Sequence, residues 1–311
     1  MRDRIYLAGL LLGAGLLLYA GRGLFEKSRY VTFALTFGVT TAAAVLGVAL
    51  YKVQLDLRAS RHELARKEAE LSIALEVQKR LFPRHFPSSG GLEFSGICVP
   101  AKGISGDYYD VMQLPSGRLI FVVADISGKG ISAAILMSNL QAVLRTLAEA
   151  GHAPCEVCAH LNRHLYQVTE DSWFATFFYG EWNPARRLLY YVNAGHPLPF
   201  LCGSRPGLRL DRGGPPIGLF QNVTFEVGEA ELQPGDLLVV YSDGIVEAGS
   251  GQKQEFGEPR LAHTITTHCN KSLAEIQRQV LDAVRDWSGP DPEDDMTLLL
   301  VRVPRLVEEG A

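Results

Sequence analysis

Four short motifs set aspartate beside glycine, serine or a second aspartate: Ser105-Gly106-Asp107, Ala124-Asp125-Ile126-Ser127-Gly128-Lys129-Gly130, Tyr241-Ser242-Asp243-Gly244 and Asp294-Asp295-Met296-Thr297. Each abuts an apolar run with the character of a strand. Hard divalent cations take oxygen ligands, and carboxylates gathered at strand ends can supply them. Two such cations can activate water for attack on a phosphate ester. A single aspartate in this setting is more often a turn former or a helix cap. Four of them, each against a strand, point to shared metal chemistry.

The elements that must carry these residues begin near residue 92. Segments 92–99, 108–114, 119–124, 174–182, 188–193, 237–241 and 296–303 read as strands. Helical patterns occupy 132–150, 155–168, 258–268 and 273–287. Strands come in runs and helices in pairs, which fits an α+β layered domain better than a doubly wound parallel sheet. Asp125 follows the run at 119–124 directly, and Gly128 and Gly130 free the backbone to turn into the next helix. Asp243 follows 237–241 in the same way. Gly128-Lys129-Gly130-Ile131-Ser132 resembles part of a nucleotide phosphate loop. Val123 and Gly130 stand where that loop needs glycine and Ser/Thr, so the match fails.

The net charge of −4 hides an asymmetry. Residues 1–84 hold 13 Lys/Arg against 7 Asp/Glu, a balance of +6, and the remainder holds 17 against 27, a balance of −10. An acidic body argues against nucleic acid as a partner, because phosphate backbones need basic grooves. The five cysteines are scattered and odd in number, unlike a disulfide framework. Cys155 and Cys158 have redox or zinc spacing, but no second Cys/His pair lies nearby, and buried thiols are the better reading.

The basic leader contains two apolar runs, 5–20 and 30–51. The second meets the roughly 20 residues a bilayer core requires. The first does so only by extension to Phe25, with Arg22 snorkelling. A cleaved signal peptide is disfavoured, since no small-x-small site precedes a soluble domain. The loop carries Arg22, Lys27 and Arg29, whereas the flanks carry Arg2, Arg4, Lys52, Arg58, Arg61, Arg66 and Lys67. The expectation is a two-helix transmembrane hairpin in the bacterial cell membrane, both ends cytoplasmic. Residues 52–81 lack Gly and Pro and form a linker helix. Leu57, Leu64 and Leu71 recur every seven residues, a short seam for a homodimer. The expected domains are a hairpin at 1–51, a linker at 52–84, a catalytic body at 85–304 and a tail at 305–311.

The acidic motifs, together with Glu76-Val77-Gln78-Lys79-Arg80-Leu81-Phe82-Pro83, Phe174-Ala175-Thr176, Asn193-Ala194-Gly195-His196-Pro197, Pro234-Gly235-Asp236 and Phe256-Gly257, resemble the PPM-type (protein phosphatase 2C-like) serine/threonine phosphatases. The similarity is to the bacterial branch of the stage II sporulation protein E and RsbU regulators. It runs from about Glu76 to Val303. Ser105 stands where that family usually has a glycine, and Ile126 where its eukaryotic relatives have one. The resemblance implies an αββα sandwich of two antiparallel sheets flanked by helices, with two Mn²⁺ or Mg²⁺ ions at one sheet end. It implies Asp125 as the bridging ligand, the Ile126 carbonyl as a further one, Asp243 and Asp294 on the first metal, and Asp107 acting on the second. Asp295 would be a neighbour. The expected activity is metal-dependent hydrolysis of a phosphorylated regulatory protein of the anti-anti-sigma type. His196 is either a general acid or a structural residue fixing its turn, the latter being favoured. The alternative function is a catalytically silent signalling scaffold with the same fold. A metal-dependent nucleotidyl cyclase also uses paired aspartates, but the sequence shows no base-reading or triphosphate-binding set.

Overall fold

The computed structural model describes residues 29–305 apart from 89, 102, 170–172 and 253, together with 13–16 and 19. Contacts divide the chain into Met1–Glu70 and Leu71–Ala311. Helix α1 (Arg29–Lys79) runs unbroken through the second expected span, 30–51, and most of the expected linker. No Pro interrupts it, and its threonines return their hydroxyls to the helix, as Thr36 and Thr40 do to the carbonyls of Thr32 and Thr36. By length and composition it could cross a membrane, and its apolar window is wholly unburied. The first expected span, 5–20, lies outside the described residues except for 13–16 and 19.

The second unit holds ten strands and five further helices. In chain order these are β1 (Glu93–Val99), β2 (Asp107–Gln113), β3 (Leu119–Ile126), α2 (Ile131–Glu149), α3 (Pro154–Val168), β4 (Ala175–Asn183), β5 (Leu188–Ala194), β6 (Phe200–Cys202), β7 (Gly213–Gly214), β8 (Gly228–Glu231), β9 (Leu237–Tyr241), α4 (Asp243–Val246), α5 (Gly257–His268), α6 (Leu273–Ser288) and β10 (Met296–Arg302). One sheet runs β1-β10-β9-β6. The other runs β2-β3-β4-β5-β7, with β8 also paired to β5.

The layering follows from period-two alternation in strands buried on both faces. In β3, Val122 and Ala124 face a core shared with α2 and α3, while Phe121 and Val123 face the opposite sheet. In β9, Leu238 and Val240 face that same inter-sheet core, while Leu237, Val239 and Tyr241 join a third core under α5 and α6. Three cores separate four layers, the αββα arrangement. Helix α6 shows the local logic. Ser272 accepts a hydrogen bond from the Glu275 amide, and the Glu275 carboxylate accepts in return from the Ser272 amide. Leu273, Ile276, Val280 and Val284 then recur on the buried face. Helix α2 is also apolar and long enough to cross a membrane, but its buried Ala133, Met137, Leu140 and Leu144 make it a core helix.

One expectation changes. The sheets are not both antiparallel, because β7 pairs parallel with the end of β5, Asn193 opposite Gly213 and Ala194 opposite Gly214. A side chain at 213 would collide with the Asn193 backbone, so only glycine can lie there. Strands β6, β7 and β8 are two to four residues long, too short for a periodicity signal in sequence.

Phe121 is fully buried between the sheets, its ring 5.9 Å from that of Phe94 and 6.3 Å from that of Phe178. Phe121→Ala should lower stability by about 3–5 kcal/mol, read as a lower urea midpoint at unchanged slope.

Candidate functional site

Antiparallel pairing sets Asp107, the first residue of β2, directly opposite Asp125 near the end of β3. On the other sheet, β9 and β10 are neighbours. Asp243 leaves β9 as the first residue of the single turn α4, and Asp294 and Asp295 precede β10. The Ser242 amide donates to the Thr297 carbonyl at 2.9 Å, and the Thr297 amide donates to Ser242 Oγ at 2.8 Å, locking these two strand ends together. All four sequence motifs therefore arrive at one end of the sandwich, two aspartates from one sheet and three from the other. The Ile126 carbonyl lies beneath Gly106, where an added Cβ would come within 3.1 Å of it.

The carboxyl groups feel one another strongly. Burial, followed by the charges of Asp243 and Asp294, pushes Asp125 up to about 7. Burial and then Asp125 hold Asp107 well above the usual carboxylate range. Asp243 is raised by burial and then by Asp294. Like charges this close cannot all ionise, so protons are retained.

Asp294 and Asp295 are met by protein groups. Lys129, from the Gly-rich turn after β3, places its Nζ 2.7 Å from Asp294 Oδ2. Asp295 accepts from the Ala101 amide at 2.8 Å, the Gly106 amide at 2.7 Å and the Ser105 hydroxyl at 2.9 Å. Its carboxylate thus ties β10 to the turn before β2.

The stage II sporulation protein E (SpoIIE) family model matches residues 115–304, more than half of the chain. The phosphoserine phosphatase RsbU of Bacillus subtilis (strain 168) is 30% identical over 254 residues, covering 81% of this chain and 74% of RsbU. The chain belongs to the SpoIIE family, in the PP2C-like branch that contains RsbU. Two solved structures share the fold. The SiaA-PP2C domain of Pseudomonas aeruginosa has a TM-score of 0.68 at 19% identity, covering 77% of this chain and 98% of that domain. The PP2C phosphatase domain of SpoIIE from Bacillus subtilis, with a fragment of its regulatory domain, has a TM-score of 0.61 at 22% identity, covering 70% and 64%.

Membership in the SpoIIE family does not carry the expected cofactor with it. Among the described residues, no group of three or more His, Cys, Asp or Glu side chains is disposed to hold a metal ion. The expectation of two Mn²⁺ or Mg²⁺ ions on Asp107, Asp125, Ile126, Asp243 and Asp294 is therefore corrected. With it go the metal-dependent phosphatase activity and the hydrolase and metal-binding assignments that rested on those ions. The physical reason lies in how the carboxylates are spent. Asp294 is paired with the Lys129 ammonium and Asp295 accepts from three donors, while burial and mutual repulsion raise Asp107 and Asp125 above the usual carboxylate range.

Sequence reasoning missed two members of this site. Lys129 lies in the second acidic motif, but nothing in the sequence marks it as a partner of Asp294. Gln78, near the end of α1, is buried and clamps Ser105 from both sides: its Nε2 donates to the Ser105 carbonyl at 2.6 Å, and the Ser105 amide donates to its Oε1 at 3.0 Å. Ser105 Oγ in turn accepts from the Asp107 amide at 3.0 Å. A Gln between Val77 and Lys79 gives no sign of a partner 27 positions away. His196 is buried, its Nδ1 sits 2.9 Å from Thr176 Oγ1, and its amide donates to Asn193 Oδ1 at 2.8 Å. Burial pushes its imidazole down to about 3, so it stays neutral and holds the turn. Of the CxxC pair, Cys158 is buried with its thiol pushed up by burial, the signature of an inert core cysteine.

Two outcomes test this geometry. Gln78→Ala strands a buried amide and carbonyl of Ser105, and should cost about 2 kcal/mol with faster hydrogen exchange at the Ser105 amide. The raised Asp125 means that the folded state binds more protons than the unfolded chain. Its contribution to stability is full below about pH 4, the unfolded carboxylate range, and is lost as pH rises through about 7. Thermal midpoints should therefore fall with pH across this window relative to Asp125→Asn, which lacks the titration.

Proposed function

We propose that this chain is a signalling scaffold of the SpoIIE family, which binds a phosphorylated regulatory protein without metal-dependent hydrolysis. The observation that carries this reading is that, among the described residues, no group of three or more His, Cys, Asp or Glu is disposed to hold a metal ion, with Asp295 instead held by Ala101, Ser105 and Gly106. Kinship with RsbU supports a partner among phosphorylated regulators, of the anti-anti-sigma type. The apolar stretch of α1 supports attachment to a membrane, in the form of the two-helix hairpin at 1–51 with the remainder of the chain cytoplasmic. Leu57, Leu64 and Leu71 are exposed along one seven-residue repeat, which supports a homodimer through the linker at 52–84. Residues 85–304 form the partner-binding body and 305–311 a tail.

The test is calorimetric titration of the full chain with Mn²⁺, paired with gel filtration beside a phosphoserine-bearing anti-anti-sigma-type protein. The expected result is no saturable metal binding at micromolar concentration, co-elution in the presence of a chelator, and a partner whose phosphate count by mass spectrometry is unchanged. Two tightly bound ions, with phosphate release that Asp125→Ala abolishes, would overturn the reading.

A further inference from the structure

Where α1 ends and the chain turns into β1, a cavity of about 440 Å³ opens to solvent. It lies away from the acidic cluster, because its floor includes Val111, four residues along β2 from Asp107 and hence about 13 Å distant. Its lining includes Arg80, Arg84, His85 and Arg145, and none of the lining residues is acidic. Arg80 and Arg84, the last basic residues of the +6 segment, meet His85 and Arg145 here at the edge of a body, residues 85–311, whose charge balance is −10.

The cavity is held open rather than collapsed. Arg145 is fixed by two hydrogen bonds to the fully buried Asp110, Nε to Oδ2 at 2.8 Å and Nη2 to Oδ1 at 2.9 Å. Gln141 Nε2 donates to the Leu81 carbonyl at 2.6 Å, pinning the end of α1 over α2. Phe82 then packs its ring 5.2 Å from Tyr109. Arg80 pairs only with Glu76 one turn earlier, both well exposed, a contact worth little. Arg84 and His85 are exposed and make no hydrogen bond or ion pair among the described residues. The site therefore has Arg145, held by Asp110, at its wall and the exposed side chains of Arg84 and His85 at its rim. Its volume is many times that of one phosphate ion, so its charges suit several anionic side chains spread along a chain.

We propose that this cavity is the docking site for an acidic segment, rich in Asp and Glu, of a protein partner. This rests on the reading of the chain as a partner-binding protein and names the chemistry that the partner presents. Planar guanidinium groups receive carboxylates in pairs of parallel hydrogen bonds, which gives the contact direction as well as charge. The rim charges speed encounter and make the contact salt-sensitive. Docking here also bears on the clamp between Gln78 and Ser105, because Gln78 lies one helical turn or less from Leu81 and Phe82.

The experiment is fluorescence anisotropy of a labelled twelve-residue peptide containing four Glu, titrated with the full chain in neutral detergent and a chelator. Its counterpart with Gln for every Glu is titrated alongside. The Glu peptide should bind at least tenfold more tightly than the Gln peptide, and weaken about tenfold between 50 and 250 mM salt. The double variant Arg84→Ala, His85→Ala should weaken it at least tenfold, with Arg84→Lys losing less, while thermal unfolding stays unchanged because both residues are exposed. Equal affinity for the two peptides, no binding of either, or full affinity in the double variant overturns the proposal. So does binding of phosphatidylserine vesicles through Arg84 and His85 by a chain that ignores the Glu peptide. Because metal is chelated throughout, a later finding of metal-dependent hydrolysis would overturn the scaffold reading without touching this result.

Discussion

Crowding of like charge governs this fold's functional end. Five aspartates reach the same edge of two sheets, and Asp107 among them is fully buried, away from the water that would screen its charge. A protein can meet such a concentration with cations from solution, with protons, or with its own donors. Here Lys129 reaches over from the turn after β3 to Asp294, Asp295 gathers three donors, and burial with mutual repulsion raises the pair across β2 and β3 above the usual carboxylate range. The turn geometry, the locked ends of β9 and β10 and the placement of Ser105 all serve that neutralisation.

The same arrangement makes the end of α1 a part of the site. Gln78 holds the Ser105 backbone, Ser105 holds the Asp107 amide and Asp295, and Asp295 holds the turn before β2. A displacement of the helix end by a fraction of a hydrogen-bond length would unseat several buried donors at once. Such chains of short polar contacts have two natural states, engaged or broken, rather than a continuum. A helix terminus that is bonded into a charged cluster is therefore placed to report on whatever binds beside it.

Much of this was readable from residue order. The seven longer strands and the helices α2, α3, α5 and α6 fall within a residue or two of where alternation and helical periodicity set them, because each buries a long apolar face. The gathering of the acidic motifs was legible too, since each follows or precedes a strand that sequence marks clearly. What sequence could not convey is how side chains from distant segments share their charge. Lys129 and Asp294 are 165 positions apart, and Gln78 and Ser105 are 27 apart. Neither pairing leaves a local pattern. The resemblance to the PPM-type phosphatases named a ligand set at these positions but carries no information on whether those oxygens are already bonded. The parallel β5–β7 contact escaped for a similar reason, as two glycines carry no periodicity.

Gly244 has a consequence that reaches past the fold. A Cβ there would collide with the Asp295 carbonyl oxygen, so the backbone after β9 touches the backbone before β10 with nothing between. The Asp294 side chain, which reaches out to Lys129, can be exchanged while the main chain keeps its course. Position 244 allows no such exchange, since any larger residue would pry the two strand ends apart. Across descendants of this sequence, the glycine should therefore outlast the aspartates it serves: a lineage could change or abandon the chemistry of this edge and still be unable to give up the residue that lets its two halves meet.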